Sequence, residues 1–301
     1  MIDPWIWISV GAAAAQAVRF FLQRALRVAA LSSVGATFAR FAYSAPLVAL
    51  LAVGILVARA QPLPAMPPAF WVYATAGGIA QIVATVCVVT LFARRNFAVG
   101  VTLSKTEVLF SALVGFAVLG DGIGPVALAA MALGIAGVIL LSDVPDLSGA
   151  WYRRLFNASA GLGLAAGALF AVSAVGYRGA TLALGSGDAL SRAVVTLAVV
   201  TAGQSVASGV WLAWREPGQV GRVASAWRLA APMGLASLAG SLGWFTAFAM
   251  QPVAYVKAVG QVEVAFVLFA SVCLLSERIT AREWCGLVAL TASVLWLVLI
   301  R

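Results

Sequence analysis

Leu103-Ser-Lys-Thr-Glu-Val-Leu-Phe-Ser-Ala-Leu-Val-Gly-Phe-Ala-Val-Leu-Gly-Asp121 and Gly260-Gln-Val-Glu-Val-Ala-Phe-Val-Leu-Phe-Ala-Ser-Val-Cys-Leu-Leu-Ser-Glu277 share one pattern: an early glutamate, a long apolar run and an acidic turn. At one constant offset Ala98 falls on Ala254, Glu107 on Glu263, Val108 on Val264, Phe110 on Phe266, Leu119 on Leu275, Asp121 on Glu277 and Ile123 on Ile279. Upstream, Gly35 to Arg40 (GATFAR) aligns with Gly187 to Arg192 (GDALSR). The runs are long enough to matter physically, because a helix crossing a hydrocarbon core about 30 Å thick needs roughly 20 apolar residues.

The rest of the chain divides on the same scale. Of 301 residues 63% are apolar and 10% charged, and the mean hydropathy is +1.04, far outside the soluble globular range. Spans are expected near 5–26, 31–57, 69–93, 97–119, 123–142, 157–180, 188–214, 227–249, 253–275 and 281–300. The breaks carry turn chemistry: Gln61-Pro-Leu-Pro-Ala-Met-Pro-Pro68, Gly120-Asp-Gly122, Gly185-Ser-Gly187 and Gln251-Pro252. Only 143–156 and 215–226 read as loops of any length. The opening Met1-Ile-Asp-Pro-Trp-Ile-Trp lacks a basic stretch and a small-residue cleavage site, so it reads as the first span rather than a removed signal.

The expected fold is therefore an all-α integral membrane protein of ten transmembrane helices. Residues 1–142 form one five-helix repeat, 143–156 a connecting loop, and 157–301 a second repeat. An odd number of spans per half forces the second half to enter the membrane in the opposite sense, so the repeat is inverted. Charge placement gives an independent check, since inverted loops must carry opposite Lys/Arg bias. Arg94-Arg95 align with uncharged Met250-Gln251, and Asp121-Gly122 with Glu277-Arg278. Arg24, Arg27, Arg94, Arg95, Arg153, Arg154, Arg215, Arg222, Arg228, Arg278 and Arg282 follow odd-numbered spans. Arg59, Arg178 and Arg301 lie on the other side. By the positive-inside rule both termini face away from the cytoplasm of a bacterial inner membrane.

Leu103-Ser-Lys-Thr-Glu-Val-Leu-Phe, Leu119-Gly-Asp121 and Gly134-Ile-Ala-Gly137 resemble the fourth and fifth helices of the drug/metabolite transporter superfamily. Gly260-Gln-Val-Glu-Val-Ala-Phe, Ser276-Glu-Arg-Ile-Thr280 and Gly286 look closer still to the acidic corner of its EamA branch. The resemblance runs through the whole five-plus-five repeat. It implies a ten-helix bundle around a central cavity, lined by the third, fourth, eighth and ninth spans, working by alternating access. Transporters of this shape export amino acids or carry nucleotide sugars and phosphates. Many of them have a proline where this chain has Lys105-Thr-Glu107, which puts the cavity chemistry of this chain on its own footing.

Charges inside spans are costly, by about 3 kcal/mol each on insertion scales, and need a partner or an aqueous cavity. Glu107 and Glu263, each the eleventh residue of its span, form a pseudo-symmetric pair near the midplane. Phe110 and Phe266 follow three residues on, a spacing that offers an aromatic wall beside each carboxylate. An ion pair locking the halves together is the competing reading. Lys105 stands two residues from Glu107, so on a regular helix the two face apart and need separate partners. Arg40 and Arg192 are repeat partners, whereas Arg19 and Lys257 read as snorkelling from span ends. Gln81 and Trp244 lead the polar candidates, ahead of Gln16, Tyr73, Thr85 and Tyr255. Trp5, Trp7, Trp71 and Trp227 fit an aromatic belt at the interfaces, and Gly161 to Gly167 a packing stripe.

No catalytic constellation is expected. The chain has no histidine, and Cys87, Cys273 and Cys285 stand alone within apolar runs, which marks them as buried small hydrophobes. The net charge of +9 is dispersed between spans and builds no nucleic-acid stripe. The reading is a monomeric transporter in a lipid bilayer, without metal or cofactor, exporting amino acids or similar amphipathic metabolites through Lys105, Arg40, Glu107, Glu263, Gln81, Trp244, Phe110 and Phe266. A carrier of anionic metabolites is the alternative, and it requires an arginine or lysine cluster facing one cavity. A scaffold or an intramembrane enzyme ranks lower, because no nucleophile with a base and no metal triad share a depth.

Overall fold

The computed structural model describes residues 3–28, 31–93, 104–120, 124–142, 158–276 and 280–299, and among them no strand occurs. The helices are α1 (Pro4–Val28), α2 (Ser33–Ala58), α3 (Pro68–Leu91), α4 (Glu107–Leu119), α5 (Pro125–Ser142), α6 (Ala158–Ala183), α7 (Ala189–Arg215), α8 (Gln219–Ser225), α9 (Trp227–Met250), α10 (Val253–Val259), α11 (Glu263–Phe269) and α12 (Ala281–Leu299). Among the described residues seven stretches are long and apolar enough to cross a membrane: α1, α2, α3, α6, α7, α9 and the composite Val253–Leu274 that contains α10 and α11. This is the make-up of a multi-pass membrane protein. Ala98, Asp121, Ile123, Glu277, Ile279, Arg94, Arg95 and the 143–156 connection lie outside the described residues.

Local chemistry sets the ends. Ser32 caps α2 by accepting the Gly35 N–H at 2.9 Å, and Asp188 caps α7 by accepting the Ser191 N–H at 2.9 Å. Prolines open α1, α3 and α5, where a missing N–H costs nothing. Gly120 closes α4 in the left-handed conformation (φ 70°). Arg178 donates to the carbonyls of Phe248 and Gln251, both at 2.7 Å, which satisfies the C-terminal end of α9.

The molecule is inside-out relative to a soluble protein. Leu50, Val53, Val57, Val206 and Phe269 are more than 60% exposed, while Arg19, Arg40, Lys105, Glu107, Lys257 and Glu263 are buried. Apolar side chains on the outside and charged ones packed within are the arrangement a bilayer demands. That physics also corrects two expectations. Cys273 and Cys285 are exposed rather than buried, because an apolar side chain facing lipid has no reason to turn inward. Trp5 belongs to the core instead of an interfacial belt, whereas Trp7, Trp71 and Trp227 are exposed near helix ends. The 215–226 stretch is not a plain loop: after Gly218 (φ 88°) it forms α8, whose Val223 is buried.

Helices pair across the sequence as α1 with α9, α3 with α6, α2 with α7, and α5 with α12, and α4 lies on α6. Glycine allows the closest approaches. A Cβ on Gly176 would stand 2.9 Å from the Tyr73 carbonyl oxygen, and one on Gly77 3.0 Å from the Tyr177 ring, so α3 and α6 touch nearly backbone to backbone. Gly167, within the predicted packing stripe, receives the Thr106 hydroxyl and the carbonyl of Ser104.

Candidate functional site

The two segments that opened the sequence reading do not run as continuous α-helix. Ser104–Thr106 and Gly260–Val262 are 3-10 turns, each followed at once by the α-helix that Glu107 or Glu263 begins. A 3-10 turn is narrower than an α-helix and rotates the side chains that follow. Lys105 and Glu107 therefore curl into the same space instead of facing apart, and Lys105 Nζ lies 3.6 Å from Glu107 Oε1. The expectation of divergent faces assumed α geometry and fails for that reason.

Two ion pairs cross between the halves of the chain. Lys105 Nζ is 2.6 Å from Glu263 Oε2, and Lys257 Nζ is 3.1 Å from Glu107 Oε2. Gln16 Nε2 also donates to Glu263 Oε2 at 2.6 Å, and Trp244 Nε1 donates to Gln16 Oε1 at 2.9 Å. The ammonium of Lys257 sits 4.7 Å above the Trp244 ring and 5.7 Å from that of Phe248, a cation–π arrangement. Gly260 makes room for the Trp244 ring, which occupies the space a Cβ would take. Lys257 and Arg19 do not snorkel. Lys257 is held inward by Glu107 and two rings, and Arg19 is buried midway along α1 with its guanidinium 4.1 Å above Phe20.

These groups surround a cavity among α1, α2, α3, α6, α9, α10 and the 104–107 turn. Its lining includes Gln16, Arg19, Arg40, Gln81, Lys105, Glu107, Tyr177, Ser241, Trp244 and Lys257. At about 30 Å³ it holds a water or two. At that volume it is too small for a metabolite. Arg40 donates from Nε to Ser237 at 3.0 Å, from Nη1 to Thr85 at 3.2 Å and from Nη2 to Ser241 at 3.3 Å. Arg19 donates to Gln23 Oε1 at 2.6 Å. Among the described residues neither guanidinium has a carboxylate at ion-pair distance, while both glutamates are held by lysines. Four cations thus meet two carboxylates, an excess of two positive charges.

Of the candidates read from sequence, Glu107, Lys105, Arg40, Gln81 and Trp244 share this cavity. Glu263 stands behind its wall, wholly buried, holding Lys105 and Gln16 from the far side. Phe110 and Phe266 do not line it, and Phe266 is 37% exposed on the outer surface. Three residues carry the chain about 4.5 Å along the helix axis, and the cavity is lined only by the 104–107 end of that segment, so a ring one turn further on lies beyond it. Arg192, aligned with Arg40 in the sequence reading, is half-buried and does not line this cavity. Sequence reasoning missed Tyr177 and Gln204. The Tyr177 hydroxyl donates to Gln81 Oε1 at 2.9 Å, and Gln204 Nε2 donates to Gln81 Oε1 at 2.9 Å, to the Tyr177 hydroxyl at 3.1 Å and to the Gly78 carbonyl at 3.0 Å. A lone amide or phenol inside an apolar span was the available signal.

No family model matches the chain, and no curated protein matches it. A solved protein crystal structure does, with a TM-score of 0.64 at 15% identity, covering 96% of this chain and 99% of that one. The chain thus shares its fold, over nearly its full length, with a protein whose crystal structure is known.

Proposed function

We propose that this protein is a solute transporter of the drug/metabolite superfamily, EamA-like, with ten spans in two inverted five-helix halves and both termini on the non-cytoplasmic side of a bacterial inner membrane. Helix pairing supports the repeat. Exchanging each span for its counterpart in the other half turns the α1–α9 pair into α6–α3 and leaves α2–α7 and α5–α12 unchanged as pairs. The 3-10 turns recur at the sequence offset that relates Glu107 to Glu263. Hydrogen bonding across the paired helices recurs with its chemistry swapped: an amide on α1 meets a ring on α9 (Gln16, Trp244), and a ring on α6 meets an amide on α3 (Tyr177, Gln81).

The transported solute carries an anionic group. The observation behind this reading is the make-up of the cavity, in which Arg19 and Arg40 have no carboxylate at ion-pair distance among the described residues while Lys105 and Lys257 occupy both glutamates. The arginine and lysine cluster that an anion carrier requires is present. Guanidinium groups also bind carboxylate and phosphate through paired N–H donors. Amino-acid export is the second reading, favoured by the Trp244, Phe245 and Phe248 wall. The ion pairs between halves are the contacts that must exchange as access alternates.

Uptake into proteoliposomes decides between the two. Sugar phosphates, dicarboxylates and neutral amino acids are offered with and without a pH gradient. Saturable uptake of anions that Arg40→Gln abolishes supports the first reading, and uptake of neutral amino acids alone overturns it. No uptake of any solute by folded protein overturns both.

A further inference from the structure

A second space adjoins the cavity. Between α3 and α7 runs a groove of about 250 Å³ lined by Trp71, Ile79, Ile82, Val199, Gly203 and Gln204 among others, nearly all apolar. Its outer wall is incomplete: Trp71 is 50% and Ile79 59% exposed, on a surface that faces hydrocarbon in a membrane. Its inner wall is one hydrogen-bonded layer. Gln204 lines the groove, Gln81 and Tyr177 line the charged cavity, and the three side chains bond directly to one another. Glycine keeps the groove open, because a Cβ on Gly203 meets nothing within 4 Å and one on Gly78 only Gln204 and Val200 at 3.8 Å.

A positively charged cavity and an apolar lateral groove separated by one layer of amides and a phenol have a definite chemical complement. We propose that the solute is an amphiphilic anion, a carboxylate or phosphate on a hydrocarbon tail. Its head is held by Arg40 and Arg19, and its tail passes between α3 and α7 into the bilayer when the Gln81–Tyr177–Gln204 layer opens. This rests on the anion-carrier reading above and narrows it. Gln204 is the gate: neutral side chains bonded to one another and to the Gly78 carbonyl part without exposing a buried charge, unlike the Lys105–Glu263 pair. A tail left in hydrocarbon also keeps its apolar surface out of water, which removes the largest cost of moving an amphiphile through a closed cavity.

The test uses the full chain in nanodiscs and a dodecanoate bearing a diazirine near its tail end, cross-linked by light and mapped by mass spectrometry. The label is expected on 71–82 or 199–207, competed about tenfold or more better by dodecanoate than by butanoate, because each buried methylene adds several-fold in affinity. Gly203→Trp, which fills the groove, is expected to abolish labelling and to leave butanoate binding unchanged. Ile79→Trp is expected to do the same from the opposite wall, so a folding failure in one variant does not carry the result. Equal competition by butanoate and dodecanoate, or labelling unchanged in both groove variants, overturns the tail assignment alone. Butanoate binding that survives Arg40→Gln overturns the anion reading beneath it, and labelling that survives the same change shows ordinary lipid contact at the surface.

Discussion

Replacing Glu263 by glutamine tests the ion pair on which the centre of the molecule rests. Glu263 is wholly buried, 2.6 Å from Lys105, and also accepts the Gln16 amide. At an effective permittivity near 20, Glu263 attracts Lys105 with about 6 kcal/mol, and Glu107 at 3.6 Å contributes about 5 kcal/mol. Removing one member of a buried pair costs about 3–5 kcal/mol net, since the remaining charge has lost its compensation. Glu107 still offsets part of the Lys105 charge, so the expected loss lies at the lower end, about 3 kcal/mol. The assay is reversible denaturant unfolding in detergent followed by tryptophan fluorescence, run as a double-mutant cycle. Lys105→Met in the Glu263→Gln background removes the stranded cation and is expected to recover much of the stability. A single-variant loss under about 1 kcal/mol, or a double variant whose losses simply add, would refute the pairing argument.

Gly260→Ala pushes a methyl into the Trp244 ring and is expected to cost about 1–3 kcal/mol by the same assay, with Trp244 fluorescence changed as its bond to Gln16 breaks. Arg40→Gln is expected to leave the protein folded, as Ser237, Thr85 and Ser241 keep a hydrogen-bonding partner, and to abolish saturable anion uptake in proteoliposomes. Asp188 caps the N-terminal end of α7. The hydroxyl and backbone N–H of Ser191, then Arg59 at 2.6 Å, hold its carboxyl at about 2 instead of its ordinary 3.8. Its folded value being the lower one, its stabilisation is complete above pH about 4 and is lost as pH falls towards 2. Asp188→Asn is therefore expected to flatten thermal stability against pH in that window alone, and an unchanged slope would sink the assignment.

The sequence by itself determined the membrane character of the chain, because spans of hydrocarbon length and the scarcity of charge are one-dimensional properties. It also marked Glu107, Glu263, Lys105, Arg40, Gln81 and Trp244, since a polar side chain inside an apolar run stands out whatever its surroundings. What it could not determine was direction. Lys105 and Glu107 look divergent on a regular helix, and only the 3-10 turn at Ser104–Thr106 brings them together. Lys257 and Arg19 look like residues able to reach an interface, and only the stacking of Trp244 and Phe20 with the charge of Glu107 turns them inward. Tyr177 gains meaning from the close glycine approach of α3 and α6, and Gln204 from the packing of α7 against Gly78, which together bring both to Gln81. The net charge of the cavity is likewise a tertiary property. It follows from which cations the two glutamates reach, and those contacts join residues 158 and 150 positions apart in the chain.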